Sequence, residues 1–315
     1  MIVGSVCLSH TPLLGKASAG AAVEAEFAQA IASVSRTIAE WKPNLTVVFF
    51  PDHFNGFFYD MMPSFAVGIR ATSIGDFGTI PGPVSVPEDV AADCARCCIR
   101  SGIDIATSYR MSVDHGAVQP VELLSEVSPL GDMLPIFINC AAPPLPTFGR
   151  VRALGEAVGK WAADVNRRVL FVASGGLSHD PPLPSIATTA PDAQAALIDN
   201  RNSAHAARLA RQSRVYAAAR AFTAGEGSLR PLNPSWDQAF LKAMAGGDLS
   251  IADNWSDDVV TEQGGRGGHE VRTWIAALAA LRHSKDDYTA NVAFYHPIKE
   301  WLTGTAVLAA STGTA

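Results

Sequence analysis

The sequence predicts an α/β protein: a layered α/β/α arrangement in a single domain over residues 1–315, with a helical C-terminal third. Apolar runs rich in β-branched residues alternate with amphipathic stretches, a pattern typical of strands and helices packed in layers. No linker or internal repeat divides the 315 residues, and a chain of this length can bury one large core. After about residue 190 the chain is rich in Ala and Arg and poor in strand-like runs.

The elements follow from their residues in order along the chain. Apolar runs predict strands at Ile2–Leu8, Leu45–Phe50, Leu134–Asn139, Val169–Ala173 and Val292–Phe294. Apolar residues at three- and four-residue spacing predict helices at Ala21–Trp41, Val86–Arg100, Val151–Asn166 and Pro191–Ala224, with further helices over 232–284. Pro43 breaks the first helix, and Pro87 with Glu88 suits the first turn of the second.

Composition excludes several classes of function. The net charge is −6 and no cluster of Lys and Arg occurs, so a nucleic-acid partner is not expected. No apolar run is long enough for a membrane span, and the first residues lack a basic signal region. Five cysteines without a framework spacing fit reduced thiols and predict a cytoplasmic protein.

Four histidines follow apolar runs: His10, His53, His115 and His179. In open α/β folds ligands bind beyond the carboxyl ends of the strands, so these side chains are expected to converge. A single histidine at a strand end more often only hydrogen-bonds its own loop, but four together favour a metal site, acid–base chemistry or both.

A carboxylate partner is expected at Glu270, because Gly267 to Glu270 opens a helix with an apolar face. The alternative is that Glu270 only complements the helix dipole. His269 points about 100° away from its neighbour, so we expect it to cap the helix or to support the site from outside. Asp52 and Asp114 are rival carboxylates, or partners that fix a histidine tautomer.

Two histidines and one carboxylate with open positions form the ligand set of non-haem Fe(II) oxygenases. His115 and His179 would then remain for proton transfer. The run Gly264 to Gly268 follows no strand and matches no phosphate-binding motif. We expect it to be a mobile loop, and the sequence leaves open whether that loop is a lid over the site.

Several segments together resemble the class III (LigB-type) extradiol ring-cleavage dioxygenases, from near the first residue to about Trp301. The segments are Cys7-Leu8-Ser9-His10-Thr11-Pro12, Pro51-Asp52-His53-Phe54-Asn55-Gly56-Phe57-Phe58-Tyr59-Asp60, Ile74-Gly75-Asp76-Phe77-Gly78, Val113-Asp114-His115-Gly116, Ser174-Gly175-Gly176-Leu177-Ser178-His179, Leu232-Asn233-Pro234-Ser235-Trp236-Asp237 and Gly268-His269-Glu270.

The resemblance implies a LigB-like fold in which His10, His53 and Glu270 hold Fe(2+), His115 donates a proton and His179 is the base. It implies extradiol cleavage of 3-(2,3-dihydroxyphenyl)propionate, and of 2,3-dihydroxycinnamate, with O2 in the catabolism of aromatic compounds. It also implies a homo-oligomer. The cation for the propionate stays open among Arg70, Arg168, Arg266 and Arg272.

Other functions stay open at this point. The alternatives are a dioxygenase of the same fold for another catechol, a non-catalytic LigB-like metal-binding protein, and a zinc hydrolase. The pair His115 and His179 disfavours a protein that only holds metal, because such a protein needs no paired acid–base groups.

Overall fold

The computed structural model describes residues 1–201, 205–283 and 287–312. The strands are β1 (Ile2–Leu8), β2 (Leu45–Phe50), β3 (Phe65–Gly68), β4 (Ala71–Ser73), β5 (Gly82–Val84), β6 (Ala106–Ser108), β7 (Met111–Val113), β8 (Asp132–Ile138), β9 (Val169–Ser174), β10 (Thr289–Ile298) and β11 (Thr303–Ser311). The helices are α1 (Ala21–Trp41), α2 (Glu88–Arg100), α3 (His115–Leu124), α4 (Phe148–Asp164), α5 (Pro191–Ile198), α6 (His205–Thr223), α7 (Pro234–Ala245), α8 (Asp257–Gly264) and α9 (Val271–Arg282).

A mixed sheet of order β10-β11-β1-β9-β2-β8-β3-β6 lies between two helical layers. Its central neighbours β1, β9, β2 and β8 are parallel. In β2, Val47 and Phe49 join the core formed with α2, α4 and α9. Val48 and Phe50 join the core formed with α1 and α3. Both faces of the strand are therefore covered, as its unbroken apolar run predicts, and the layered α/β/α fold is confirmed.

The C-terminal third is helical through α9 but ends in two strands that the sequence did not fully predict. Strand β10 extends well beyond Val292–Phe294, and β11 pairs antiparallel with both β10 and β1. The residues of β11 are largely Thr, Gly and Ala, whose mixed strand propensity hides a strand that tertiary packing stabilises. The stretch predicted as one helix from Pro191 forms α5 and α6. Within the described residues, no helix combines the length and the apolar character that a membrane crossing requires.

Two sets of parallel strands direct the chain toward one crevice. Strands β1, β2 and β9 are neighbours, so the loops after Leu8, Phe50 and Ser174 leave the same edge of the sheet. In a small second sheet of order β5-β4-β7, β4 and β7 are parallel and Ser73 pairs with Val113. The segments that follow these two residues therefore start side by side.

Candidate metal and proton-transfer site

The four histidines singled out in the sequence line one cavity of about 580 Å³, a volume typical of small-molecule sites. They are His10, His53, His115 and His179. Glu270 is buried and lies within ion-pair distance of three of these rings. The convergence expected from the strand ends is therefore present.

Three residues, His10, His53 and Glu270, bring donor atoms close to one another. His10 Nε2 lies 3.4 Å from His53 Nε2, and His53 Nε2 lies 3.4 Å from Glu270 Oε1. His10 Nε2 is 3.8 Å from Glu270 Oε2. A first-row divalent ion is bound at about 2.1 Å from such donors, so one ion can contact all three. Donor atoms of His10, His53 and His115 also lie within 4.8 Å of one another.

The far side of each ring holds the two histidines in place. His53 Nδ1 lies 2.9 Å from Asp114 Oδ2, and an ionised carboxylate only accepts, so Nδ1 carries the proton. His10 Nδ1 lies 3.0 Å from the hydroxyl of Ser174. Both Nε2 atoms are thereby directed toward Glu270, as the outer partners of metal-binding histidines usually arrange. Asp114 fixes a tautomer, one of the two roles considered for it.

The charges of this group favour a cation at its centre. Burial lowers the pKa of His10 to about 3, so its ring is neutral. Burial alone lowers the pKa of His53, but the negative charges of Asp114 and Glu270 raise it well above its usual value. The pKa of Glu270 falls well below its usual value despite burial, because of His179 and His10. The negative charges of Asp114 and Glu270 therefore favour a positive charge at Nε2 of His53, and a metal ion bound there would replace the proton. Two imidazole nitrogens and a carboxylate are donors that a divalent metal ion accepts, so these residues fit such an ion.

His115 is held by a buried carboxylate. Its backbone N–H donates to Asp76 Oδ1 and its Nδ1 to Asp76 Oδ2, both at 2.7 Å. Asp76 lies in the 3₁₀ turn Asp76–Gly78, which follows β4. The pairing of β4 with β7 brings this turn to the start of α3, where His115 is the first residue. Because Asp76 holds Nδ1, the ring keeps Nε2 for the cavity.

His179 is held by neutral groups and faces Glu270. Its Nδ1 lies 3.1 Å from the carbonyl oxygen of Leu177, which only accepts, so Nδ1 carries a proton. Its Nε2 lies 3.5 Å from Glu270 Oε1. Burial alone lowers the pKa of His179, but the charge of Glu270 raises it above its usual value. The ring is therefore suited to accept a proton at Nε2.

Asp52 and His269 do not face the group formed by His10, His53 and Glu270. The Asp52 carboxylate accepts hydrogen bonds from the backbone N–H groups of Asn55, Gly56 and Phe57. Burial raises the pKa of Asp52 to about 7, and its geometry is that of a turn-forming residue. His269 lies between the Thr261 hydroxyl, at 2.8 Å, and the Arg272 guanidinium, at 2.7 Å. His269 therefore supports the start of α9 from behind Glu270.

The glycine-rich run is not the mobile loop that the sequence suggested. Gly264, Gly265, Gly267 and Gly268 are all buried. His179 N–H donates to the Gly264 carbonyl at 2.8 Å, and Gly267 N–H donates to the His179 carbonyl at 2.9 Å. A Cβ at Gly267 would overlap the His179 imidazole. The glycines are needed because backbone packs directly against this ring, so the run is a support and the mobile-loop interpretation was wrong.

The structure separates the four arginines considered for a carboxylate. Arg70 pairs with Glu88 on the surface, and Arg168 donates to the Trp41 carbonyl. Arg272 is buried against Asp257. These three do not line the cavity, whereas Arg266 does, with its Nε 2.7 Å from Asp180.

Sequence reasoning missed several residues at this site. It assigned no role to Asp76 or Ser174, although both lie in the segments that carry the family resemblance. It also missed Arg208, Arg211 and Arg214 of α6, which line the cavity. Their three-residue spacing places them on one side of a helix and was a readable signal.

Comparisons with known proteins agree with this geometry. The family model described as "Catalytic LigB subunit of aromatic ring-opening dioxygenase" matches residues 4–306. A Paraburkholderia xenovorans (strain LB400) protein is 46% identical over 94% of this chain and 93% of its own length. A Photorhabdus laumondii protein is 45% identical over 100% of this chain and 99% of its own length. A Rhodococcus protein is 46% identical over 98% of each. All three are named 2,3-dihydroxyphenylpropionate/2,3-dihydroxicinnamic acid 1,2-dioxygenase.

A solved structure supports the fold alone. An uncharacterized Escherichia coli K12 protein superposes with a TM-score of 0.51 at 14% sequence identity, over 97% of this chain and 98% of its own.

Proposed function

Because this chain belongs to the LigB family of aromatic ring-opening dioxygenases, we propose that it performs extradiol cleavage of 3-(2,3-dihydroxyphenyl)propionate, and also of 2,3-dihydroxycinnamate, with Fe(II). Relatives that align with this chain over nearly their full length are named for these two substrates. Both atoms of O2 enter the product, a ring-opened 2-hydroxy-6-oxo-dienedioate. The observation that carries the proposal is the meeting of three possible metal donors with two further histidines in one cavity.

The proposed ligands are His10, His53 and Glu270. Their facing donor atoms lie 3.4 to 3.8 Å apart, and Glu270 supplies the negative charge that two imidazole ligands do not provide to a metal ion. When bound, Fe(II) supplies adjacent open positions for the catechol and O2 and a path for electrons between them. The rings and the carboxylate fix where the catechol is held, which contributes proximity and orientation.

The remaining histidines move protons. His179 takes a proton from a catechol hydroxyl at Nε2, and the nearby Glu270 charge stabilises the resulting imidazolium. His115 gives a proton from Nε2 to the ring-derived oxygen, and Asp76 keeps its Nδ1 proton in place. His179 gains the proton that His115 loses, and exchange with solvent then returns both rings to their starting forms. The new carboxyl group of the product releases its own proton to solvent.

The test is anaerobic reconstitution with Fe(II), followed by 3-(2,3-dihydroxyphenyl)propionate and air. We expect a yellow product with one O2 consumed per substrate. No colour with iron bound would contradict the proposal. A panel of other catechols would then separate a different catechol dioxygenase from a non-catalytic metal-binding protein, and metal analysis would identify a zinc hydrolase.

The whole chain is proposed to act as one catalytic unit. Its first strand pairs with its last, β1 with β11, so the two ends of the chain share one sheet. Cytoplasmic location and homo-oligomeric assembly stay predictions.

A further inference from the structure

One wall of the cavity carries a row of positive charge. Arg208, Arg211 and Arg214 project from α6 at three-residue spacing, and all three line the cavity that the four histidines share. Asp76 is the acidic residue among the described lining residues, and it is already engaged by His115. A cavity with this excess of positive charge favours a ligand with an anionic group at the end opposite to the one that binds the metal.

Arg211 is hydrogen-bonded to the loop that follows His53. Its Nη1 donates to the Phe54 carbonyl at 3.0 Å, and its Nη2 donates to Asn55 Oδ1 at 3.2 Å. Both acceptors are neutral, and Arg211 forms no ion pair with a carboxylate of the described residues. Arg266 differs, because Asp180 already pairs with its guanidinium. The remaining N–H groups of the Arg211 guanidinium are thus left for a ligand.

The same contacts connect Arg211 to His53, one of the proposed metal ligands. Asn55, which accepts from Arg211, donates through Nδ2 to Asp114 Oδ2 at 2.9 Å. That carboxylate oxygen lies 2.9 Å from His53 Nδ1. A chain of three hydrogen bonds therefore sets the position of the guanidinium relative to a proposed metal ligand.

We propose that Arg211 binds the side-chain carboxylate of the substrate and selects catechols that carry one. This inference rests on the proposed function, since it takes the catechol ring to lie at His10, His53 and Glu270. Arg211 is partly buried, and a guanidinium stays protonated under such conditions. Partial removal from water strengthens its bonds to a carboxylate, and a planar fork matches a carboxylate better than an ammonium does.

The binding test needs no turnover. 3-Phenylpropionate and its uncharged analogue 3-phenylpropanamide are titrated calorimetrically into the full-length protein, metal-free and with Fe(II) under anaerobic conditions. For Arg211→Gln we expect a roughly 10- to 100-fold loss of affinity for the acid and a much smaller change for the amide. Arg220→Gln is the matched control, because Arg220 is exposed on the same helix and does not line the cavity; it should not change the preference.

The kinetic test compares 3-(2,3-dihydroxyphenyl)propionate with 3-propylcatechol, which lacks the carboxylate. Arg211→Gln should lower the ratio of their kcat/KM values by a similar factor, and Arg211→Lys by less. If both ratios equal that of the wild type, or if Arg211→Gln weakens acid and amide equally, Arg211 only attaches α6 to the loop and the inference is wrong. Should Arg211→Gln not fold, Arg211→Lys decides by the same ratios.

The two proposals fail in different ways. If the iron-loaded wild type cleaves neither catechol, the proposed function is wrong, while the calorimetric preference for the acid still decides the role of Arg211. If it cleaves both catechols and prefers neither, the ring cleavage stands and the carboxylate site is overturned.

Discussion

One side of the site holds its histidines with buried carboxylates, and the other holds them with neutral groups. His53 and His115 each give their Nδ1 proton to an aspartate, Asp114 and Asp76, at 2.9 and 2.7 Å. Their rings stack with centroids 4.7 Å apart. A carboxylate therefore lies behind each of these two rings, and the one behind His53 helps to raise its pKa well above its usual value.

On the opposite side, the groups hydrogen-bonded to the outer nitrogens are neutral in the part of the chain that the structure describes. His10 contacts the Ser174 hydroxyl, and His179 contacts the Leu177 carbonyl. Both face Glu270, which is the source of negative charge on this side. Burial lowers the pKa of His10 to about 3, whereas the Glu270 charge raises the pKa of His179.

Each side supplies one proposed ligand and one proposed proton-transfer group. The proposed acid, His115, has the carboxylate of Asp76 behind its ring. The proposed base, His179, has a neutral anchor and gains stabilisation from Glu270 when it accepts a proton. The comparison teaches that the group behind each imidazole, rather than the imidazole itself, distinguishes the two proton-transfer roles.

The largest effect is expected at Glu270, which both sides share. Glu270→Ala should lose the bound iron and all detectable turnover, because the two remaining donors are imidazoles, which carry no negative charge to hold the ion. Iron per chain by elemental analysis checks this. Glu262→Ala, an exposed glutamate on α8, is the control, and full iron content in Glu270→Ala would show that another group is the third ligand.

Substituting the two proton-transfer groups should leave the metal bound. His115→Gln and His179→Gln are each expected to reduce turnover by about 10² to 10⁴-fold with iron content largely retained. His296→Gln, which removes an exposed ring paired with Glu26, is the control. A variant that lost iron yet kept full turnover per bound iron would reverse the assignment of ligand and proton-transfer roles.

The neutral side depends on backbone packing beneath His179. Gly267→Ala places a methyl group into the imidazole, so we expect a displaced ring and a loss of turnover of up to about 100-fold with iron retained. Gly149→Ala serves as the control, because a Cβ there has ordinary contacts with Asp253 only. Unchanged turnover in Gly267→Ala would mean that the position of His179 is not critical.

Removing the group behind one ring on each side tests the comparison directly. Asp76→Asn removes the charge behind His115 and should lower kcat by about 10- to 100-fold, with little change in KM or iron content. Ser174→Ala removes a neutral contact of about 1 kcal/mol and should lower kcat roughly fivefold. Equal losses in the two variants would show that the charge of the anchor has no special role.

The smallest effect concerns stability at the rim of the neutral side. Burial alone raises the pKa of Asp180, but its bond to Arg266 lowers it below the usual value. The pair adds to the free energy of unfolding at pH values above the pKa of an unfolded aspartate, near 3.9. This stabilisation is lost as the pH falls through the lower pKa of Asp180 in the folded protein. Because Arg266 is partly exposed, Arg266→Gln should cost about 1 kcal/mol or less at pH 7.

Urea unfolding at pH 7 and at successively lower pH values checks this linkage. The difference between Arg266→Gln and the wild type should disappear at the acid end, and Arg266→Lys should show a smaller difference at pH 7. A cost that did not change with pH would assign the effect to packing instead of charge.

The sequence by itself determined the central strands and the histidines that follow them. His10, His53 and His179 are readable because each comes directly after an apolar run, and the parallel order of those strands puts their ends at one edge. Glu270 is readable because a helix with an apolar face begins beside it. Local spacing carries this information, so no knowledge of distant contacts is needed.

Only the tertiary structure decided what stands behind each functional group. Asp76 meets His115 because β4 pairs with β7, and Ser174 meets His10 across 164 residues of chain. The glycine run supports His179 instead of moving freely, and α6 brings Arg211 to the loop after His53. Strand β11 was missed for the same reason: pairing with β1 and β10, rather than local propensity, stabilises it.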